Sequence, residues 1–201
     1  MLDLDVITDP AAAGISLDPI RARILAELVA EPGSASSLAR TLDIARQKIN
    51  YHLRQLEDHG LVRLVEERRR GNMTERVLEA SAASYVISPA ALARVAPDPD
   101  RAPDRLSARW LVAVAARTVR EVGELLAGAT AAGKRLATFT AAAEVRFASA
   151  ADRAAFAEEL AAAVTALVSR YHDETAPAGR PHRVVLAIHP MLNREEPEDG
   201  S

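Results

Sequence analysis

The stretch that decides the fold is "DIARQKINYHLRQLEDHGLVRLVEERRRGN", residues 43–72. Its first half repeats apolar residues at helical spacing, and its second half alternates apolar and charged residues before ending in three arginines, Gly71 and Asn72. On a helix turning about 100° per residue, Arg46, Asn50, Arg54, Gln47 and Tyr51 fall within an arc of roughly 140°. Ile49, Leu53 and Leu56 take the opposite side, with His52 at its border. A helix built this way can be pinned along its back while its front offers arginine, asparagine and glutamine. Those side chains pair bidentately with the edges of guanine and adenine in a major groove. Gly60 is a natural stop for the helix, and the alternation on either side of Gly71-Asn72 predicts a β-hairpin.

Upstream, "LDPIRARILAELV" (17–29) opens with Asp18 as N-cap and Pro19 at the first helical position, and puts Ile20, Ile24, Leu25 and Leu28 on one stripe. "SASSLARTLD" (34–43) follows Pro32-Gly33, with Ser34 or Ser36 capping a short helix that buries Leu38 and Leu42. Downstream, "SYVIS" (84–88) reads as a strand and Ser88-Pro89 as the start of a short helix. "APDPDRAPD" (96–104), with three prolines and three aspartates, reads as a linker.

The second half has a different texture. Residues 105–132 form a long helical pattern in which Leu106, Trp110, Leu111, Val114, Val119, Val122, Leu125 and Leu126 spread over more than half the circumference, as in a helix packed on two sides. "RLATFT" (135–140) and "EVRFA" (144–148) have strand character. Ser149 with Asp152 forms a capping box for a helix whose apolar face is Phe156, Leu160, Val164, Leu167 and Tyr171. "HRVVLAIHP" (182–190) reads as a buried strand. The predicted class is α+β and mostly helical: three helices and a β-hairpin in the N-terminal half, followed by a small α-β-β-α-β domain. The expected boundaries are an extension at 1–16, a DNA-binding domain at 17–95, the linker at 96–104, the α+β domain at 105–190 and an acidic, disordered tail at 191–201.

Charge follows the same division. The net charge is −3, but Asp3, Asp5 and Asp9 at one end contribute −3, and Arg194 against Glu195, Glu196, Glu198 and Asp199 at the other contribute −3. Residues 10–193 therefore carry +3. Residues 46–76 hold eight basic groups against five acidic ones, and local charge sets the field at a binding face. No cysteine is present, which excludes disulfides, thiolate metal sites and cysteine nucleophiles. No apolar run approaches a membrane span and the N-terminus lacks a basic signal-peptide opening, so a cytoplasmic location is expected. There is no Gly-rich phosphate loop, nucleophile elbow or acid/base pair. His172, Asp173, His182 and His189 match no compact ligand spacing. The expectation is a non-enzyme with no catalytic residue, cofactor or metal.

The segments at 17–29 and 38–65, with the "ERRRGNMTERVL" (67–78) hairpin, resemble the winged helix-turn-helix of ArsR-type bacterial transcriptional regulators. The spacing of His52, Leu53, Leu56, Glu57, Gly60, Leu61 and Val62 carries most of the resemblance, which covers about residues 17–90. It implies a dimeric winged helix whose helix from Arg46 reads DNA. Two departures stand out: Ala45-Arg46 replaces the frequent Ser or Thr at the start of that helix, and "SASSLART" (34–41) lacks the cysteines of the family's thiolate metal sensors.

The reading is a sequence-specific DNA-binding transcriptional regulator, a homodimeric repressor whose second half dimerises and senses a small organic effector. The expected DNA contacts are Ser36, Arg46, Gln47, Lys48, Asn50, Tyr51, Arg54, Arg68, Arg69, Arg70 and Asn72. The expected pocket residues are Trp110, Phe139, Phe147, Phe156 and Tyr171, which are otherwise core. The competing reading is a protein-interaction module, with the helix's polar face simply wet and the arginines a solvated charge run.

Overall fold

The computed structural model describes residues 1–70, 73–101 and 104–192, with the backbone alone for Arg70 and Met73. The chain divides into two compact units, residues 1–137 and 138–201.

In the first unit, three helices follow from local signals. The Asp18 carboxylate accepts N–H bonds from Ile20 (2.9 Å) and Arg21 (3.0 Å), and Pro19 opens α2, Pro19–Ala30. Capping of this kind contributes about 1 kcal/mol. Ser34 caps α3, Ala35–Leu42, which ends on Asp43 in the left-handed region at φ 53°. That residue swings the chain into α4, Arg46–Asp58, which starts after Ala45 without any side-chain cap. Gly60, at φ 71°, closes α4, and the Leu61 N–H returns to the Leu56 carbonyl at 2.9 Å.

The three helices bury Ile24, Leu28, Leu38, Leu42, Ile49, Leu53 and Leu56 in one cluster with Leu61, Val62 and Leu78. Each of the fully enclosed side chains Ile24, Leu28, Ile49 and Leu56 contributes on the order of 1.5–3 kcal/mol. Against them lies an antiparallel sheet in the order β2-β4-β3, with β2 at Gly33–Ser34, β3 at Val62–Arg70 and β4 at Met73–Ala80. The β3/β4 ladder runs from Val62 opposite Ala80 to Arg70 opposite Met73, with a bulge between Leu64 and Glu66. This hairpin is the wing, so the α+β architecture expected of the N-terminal half is present.

Other elements differ from the sequence reading. The segment taken as an extension is part of the core: β1, Asp5–Ile7, pairs in parallel with β5, Tyr85–Ile87, and α1, Pro10–Ser16, buries Ala12 and Ala13. Residues 98–101, within the stretch read as a linker, are pinned rather than free. Arg117 of α5, Ala108–Ala131, bonds Asp98 (3.1 Å) and Asp100 (2.5 Å), and Arg101 donates to the carbonyls of Arg94 and Ala96. Helix α5 packs on β1 and on the 3-10 turns at Pro89–Val95 and Pro99–Arg101. The division between units therefore falls after Ala137 and not at 96–104.

Described by itself, the second unit contains one helix among its described residues, α6, Ala150–Tyr171, capped by Ser149, whose Oγ accepts the Asp152 N–H at 3.1 Å. The segments 135–140, 144–148 and 182–190, read above as strands, form no β-ladder among the described residues. Their side-chain pattern is that of strands, but a strand exists only when its backbone has an edge to pair with. No described residue of 138–192 is buried. The tail from 193 onward, expected to be disordered, lies outside the described residues.

Candidate nucleic-acid interface

The interface is built on the split of α4. On its back, Ile49, Leu53 and Leu56 are buried at 0%, 3% and 0% exposure. On its front, Arg46, Gln47, Asn50, Tyr51 and Arg54 are all exposed, as is Lys48. Among the described residues, Arg46, Gln47, Lys48, Asn50 and Arg54 make no side-chain hydrogen bond or ion pair. A long polar side chain with no internal partner keeps its donors for an external acceptor. The first-turn N–H groups of α4 also lack a capping side chain, so the positive end of the helix is uncompensated there.

A cleft beside this face is lined by Ala35, Ser36, Arg46, Asn50, Arg54, Thr74 and Arg76, among others, so α3, α4 and the wing converge on one surface. Of the three serines near it, Ser34 and Ser37 are committed to the fold. The Ser34 N–H donates to Ser37 Oγ (2.8 Å), the Ser37 N–H donates to Ser34 Oγ (3.2 Å), and Ser34 Oγ donates to Glu75 Oε1 (2.6 Å). Ser36 remains half-exposed.

The eight basic groups counted in 46–76 are not equivalent. Arg63 pairs with Glu79, Arg68 with Glu66 at 2.9 Å, and Arg76 with Glu57 through two bonds of 2.9 and 2.7 Å. The Arg70 side chain and Asn72 lie outside the described residues. That leaves Arg46, Lys48 and Arg54 on the helix and Arg69 on the wing without a carboxylate partner among the described residues. The Arg76 fork is a structural role the sequence reading missed: it ties the last turn of α4 to β4. Glu57 holds the Arg76 guanidinium pKa above its ordinary value through that hydrogen bond. The only sequence signal was that both residues bear opposite charge; the wing's fold across α4 brings them together.

Behind the reading face, His52 is 5% exposed, and neither ring nitrogen has a hydrogen-bond partner among the described residues. Its ring meets Tyr51 edge-on at 5.3 Å. Burial lowers its pKa, against the attraction of Asp18, while Arg21 and Lys48 reinforce the lowering. His172, His182 and His189 are exposed and turned to local acceptors.

The Phe147 and Phe156 rings lie 5.4 Å apart, Phe139 and Tyr171 are 91% and 77% exposed, and Trp110 is half-buried on α5. No helix of the described residues is long and apolar enough to cross a membrane.

Residues 17–65 match the family model of a helix-turn-helix domain, a span that begins just before α2 and ends within β3. No curated protein matches the chain. Together with the exposed polar front of α4, the match marks these helices as a helix-turn-helix domain and supports, in general terms, a DNA-binding regulator.

Proposed function

We propose that the protein is an ArsR-like winged-helix transcriptional repressor of the cytoplasm that binds its operator as a homodimer. Helix α4 enters the major groove. Arg46, Gln47, Asn50 and Arg54 meet base edges, Tyr51 meets a thymine methyl or sugar, and Lys48 and Ser36 meet phosphates. The wing lies over the neighbouring backbone, with Arg68, Arg69, Arg70 and Asn72 on phosphates or in the minor groove. Two copies related by a two-fold axis address half-sites about one helical turn apart. The second half supplies dimerisation and takes a small organic effector.

The observation that carries the reading is the division of α4: an enclosed apolar back and an exposed front whose long polar groups have no partner among the described residues. Selection of genomic fragments by the purified protein, followed by footprinting and a salt titration, tests it. A protected two-fold site and an affinity that falls linearly with salt on a log–log plot are expected. Recovery of no preferred sequence, with binding flat in salt, would refute it in favour of protein docking.

A further inference from the structure

Among its described residues, the second unit has strand-forming sequence without strands and a long helix without a core. Twelve large apolar side chains in 138–192 are at least 40% exposed, among them Phe139, Tyr171, Val184, Val185, Leu186 and Ile188. At about 85 Å² each they present roughly 1,000 Å² of apolar surface in total, against the roughly 800 Å² per partner that a stable interface takes. The run 184–188, apolar at every position, is suited to a strand covered on both faces and paired on both edges.

We infer that residues 138–192 complete their fold only against a second copy of this chain: the α6 faces pack together, and 144–148 and 182–190 pair across the two copies as one intermolecular sheet. The inference deepens the homodimer of the proposed function and rests on that reading. A small ligand covers neither this area nor a strand's backbone groups. A membrane surface leaves the N–H and C=O groups of 182–190 unpaired. A second copy supplies both the apolar face and the missing strand edges in equal number. Its charge also fits, because 138–192 carries five arginines against six carboxylates, interspersed, so two copies meet without net repulsion.

The test uses the full-length protein: sedimentation equilibrium over a dilution series, with hydrogen exchange at 182–190. Wild type is expected to dimerise with those amides protected, and protection should fall in step with dissociation. Leu167→Glu should weaken the dimer by about tenfold or more, and Val185→Pro, which removes a ladder donor, should abolish it. The first unit should keep its own cooperative unfolding in both variants, which separates lost association from general misfolding. A monomeric wild type, a dimer with unprotected amides at 182–190, a dimer indifferent to both substitutions, or protection that persists in the monomer overturns the inference. A monomeric wild type that still selects an operator removes this inference and spares the DNA reading. A dimer with protected amides that binds no DNA does the reverse.

Discussion

Replacing Asn50 with alanine isolates base reading from everything else the chain does. Asn50 is exposed on α4 and has no hydrogen-bond partner among the described residues, so its loss leaves no buried group unsatisfied. Alanine also has a higher helix propensity than asparagine, by a few tenths of a kcal/mol. Thermal stability should therefore hold or rise slightly. A bidentate contact to a base discriminates by about 1–3 kcal/mol, and a two-fold complex contains two such contacts. The specific affinity should fall by about 2–6 kcal/mol, roughly 30-fold to 20,000-fold. Binding to random duplex should barely change. Arg69→Ala is the control, because a cation on the wing meets phosphate regardless of sequence: it should weaken both DNAs about equally and make the log–log salt slope shallower by about 1–2 units. The assay is fluorescence anisotropy with the selected operator and a scrambled duplex across a salt series. Equal losses on both duplexes from Asn50→Ala would refute base reading by α4. A large fall in melting temperature would refute the claim that this side chain is idle in the free protein.

The remaining expectations concern the scaffold. In a double-mutant cycle, Arg76→Ala and Glu57→Gln should show coupling of about 0.5–1 kcal/mol in urea unfolding, since the fork is two-bonded but partly exposed; additive losses would mean the wing is held otherwise. His52 has a lowered pKa in the folded state, so the unfolded chain takes up its proton first. Its stabilising contribution is complete above the unfolded value near 6.5 and is lost as pH falls from there toward the folded pKa. Urea midpoints of wild type and His52→Leu should thus diverge between neutral and mildly acidic pH, with wild type losing more. Parallel pH profiles would exclude His52 as a source of that loss. At Gly123, an added Cβ would lie 2.6 Å from Val6 Cγ1. Gly123→Leu should therefore push α5 off β1 and cost about 1–3 kcal/mol, read by thermal unfolding; an unchanged midpoint would show that the two elements are not in close register.

What the amino-acid order determined by itself was whatever depends on near neighbours. The Asp18-Pro19 cap, the break at Gly60, the pairing of β3 with β4 and the two-faced wheel of α4 each need only a few adjacent residues, and each is found where periodicity and capping chemistry put it. Tertiary structure decided what depends on a distant partner. The parallel pairing of Asp5–Ile7 with Tyr85–Ile87 takes the first residues into the fold, and Arg117 reaches back to fix Asp98 and Asp100. Glu57 and Glu75 take Arg76 and Ser34 out of the set available to a ligand. The contrast between α4 and 182–190 gives the physical reason. A helix closes its hydrogen bonds within its own segment, so its pattern suffices to make it. A strand leaves half its bonding groups for a neighbour, and no pattern within the segment says where, or on which chain, that neighbour lies.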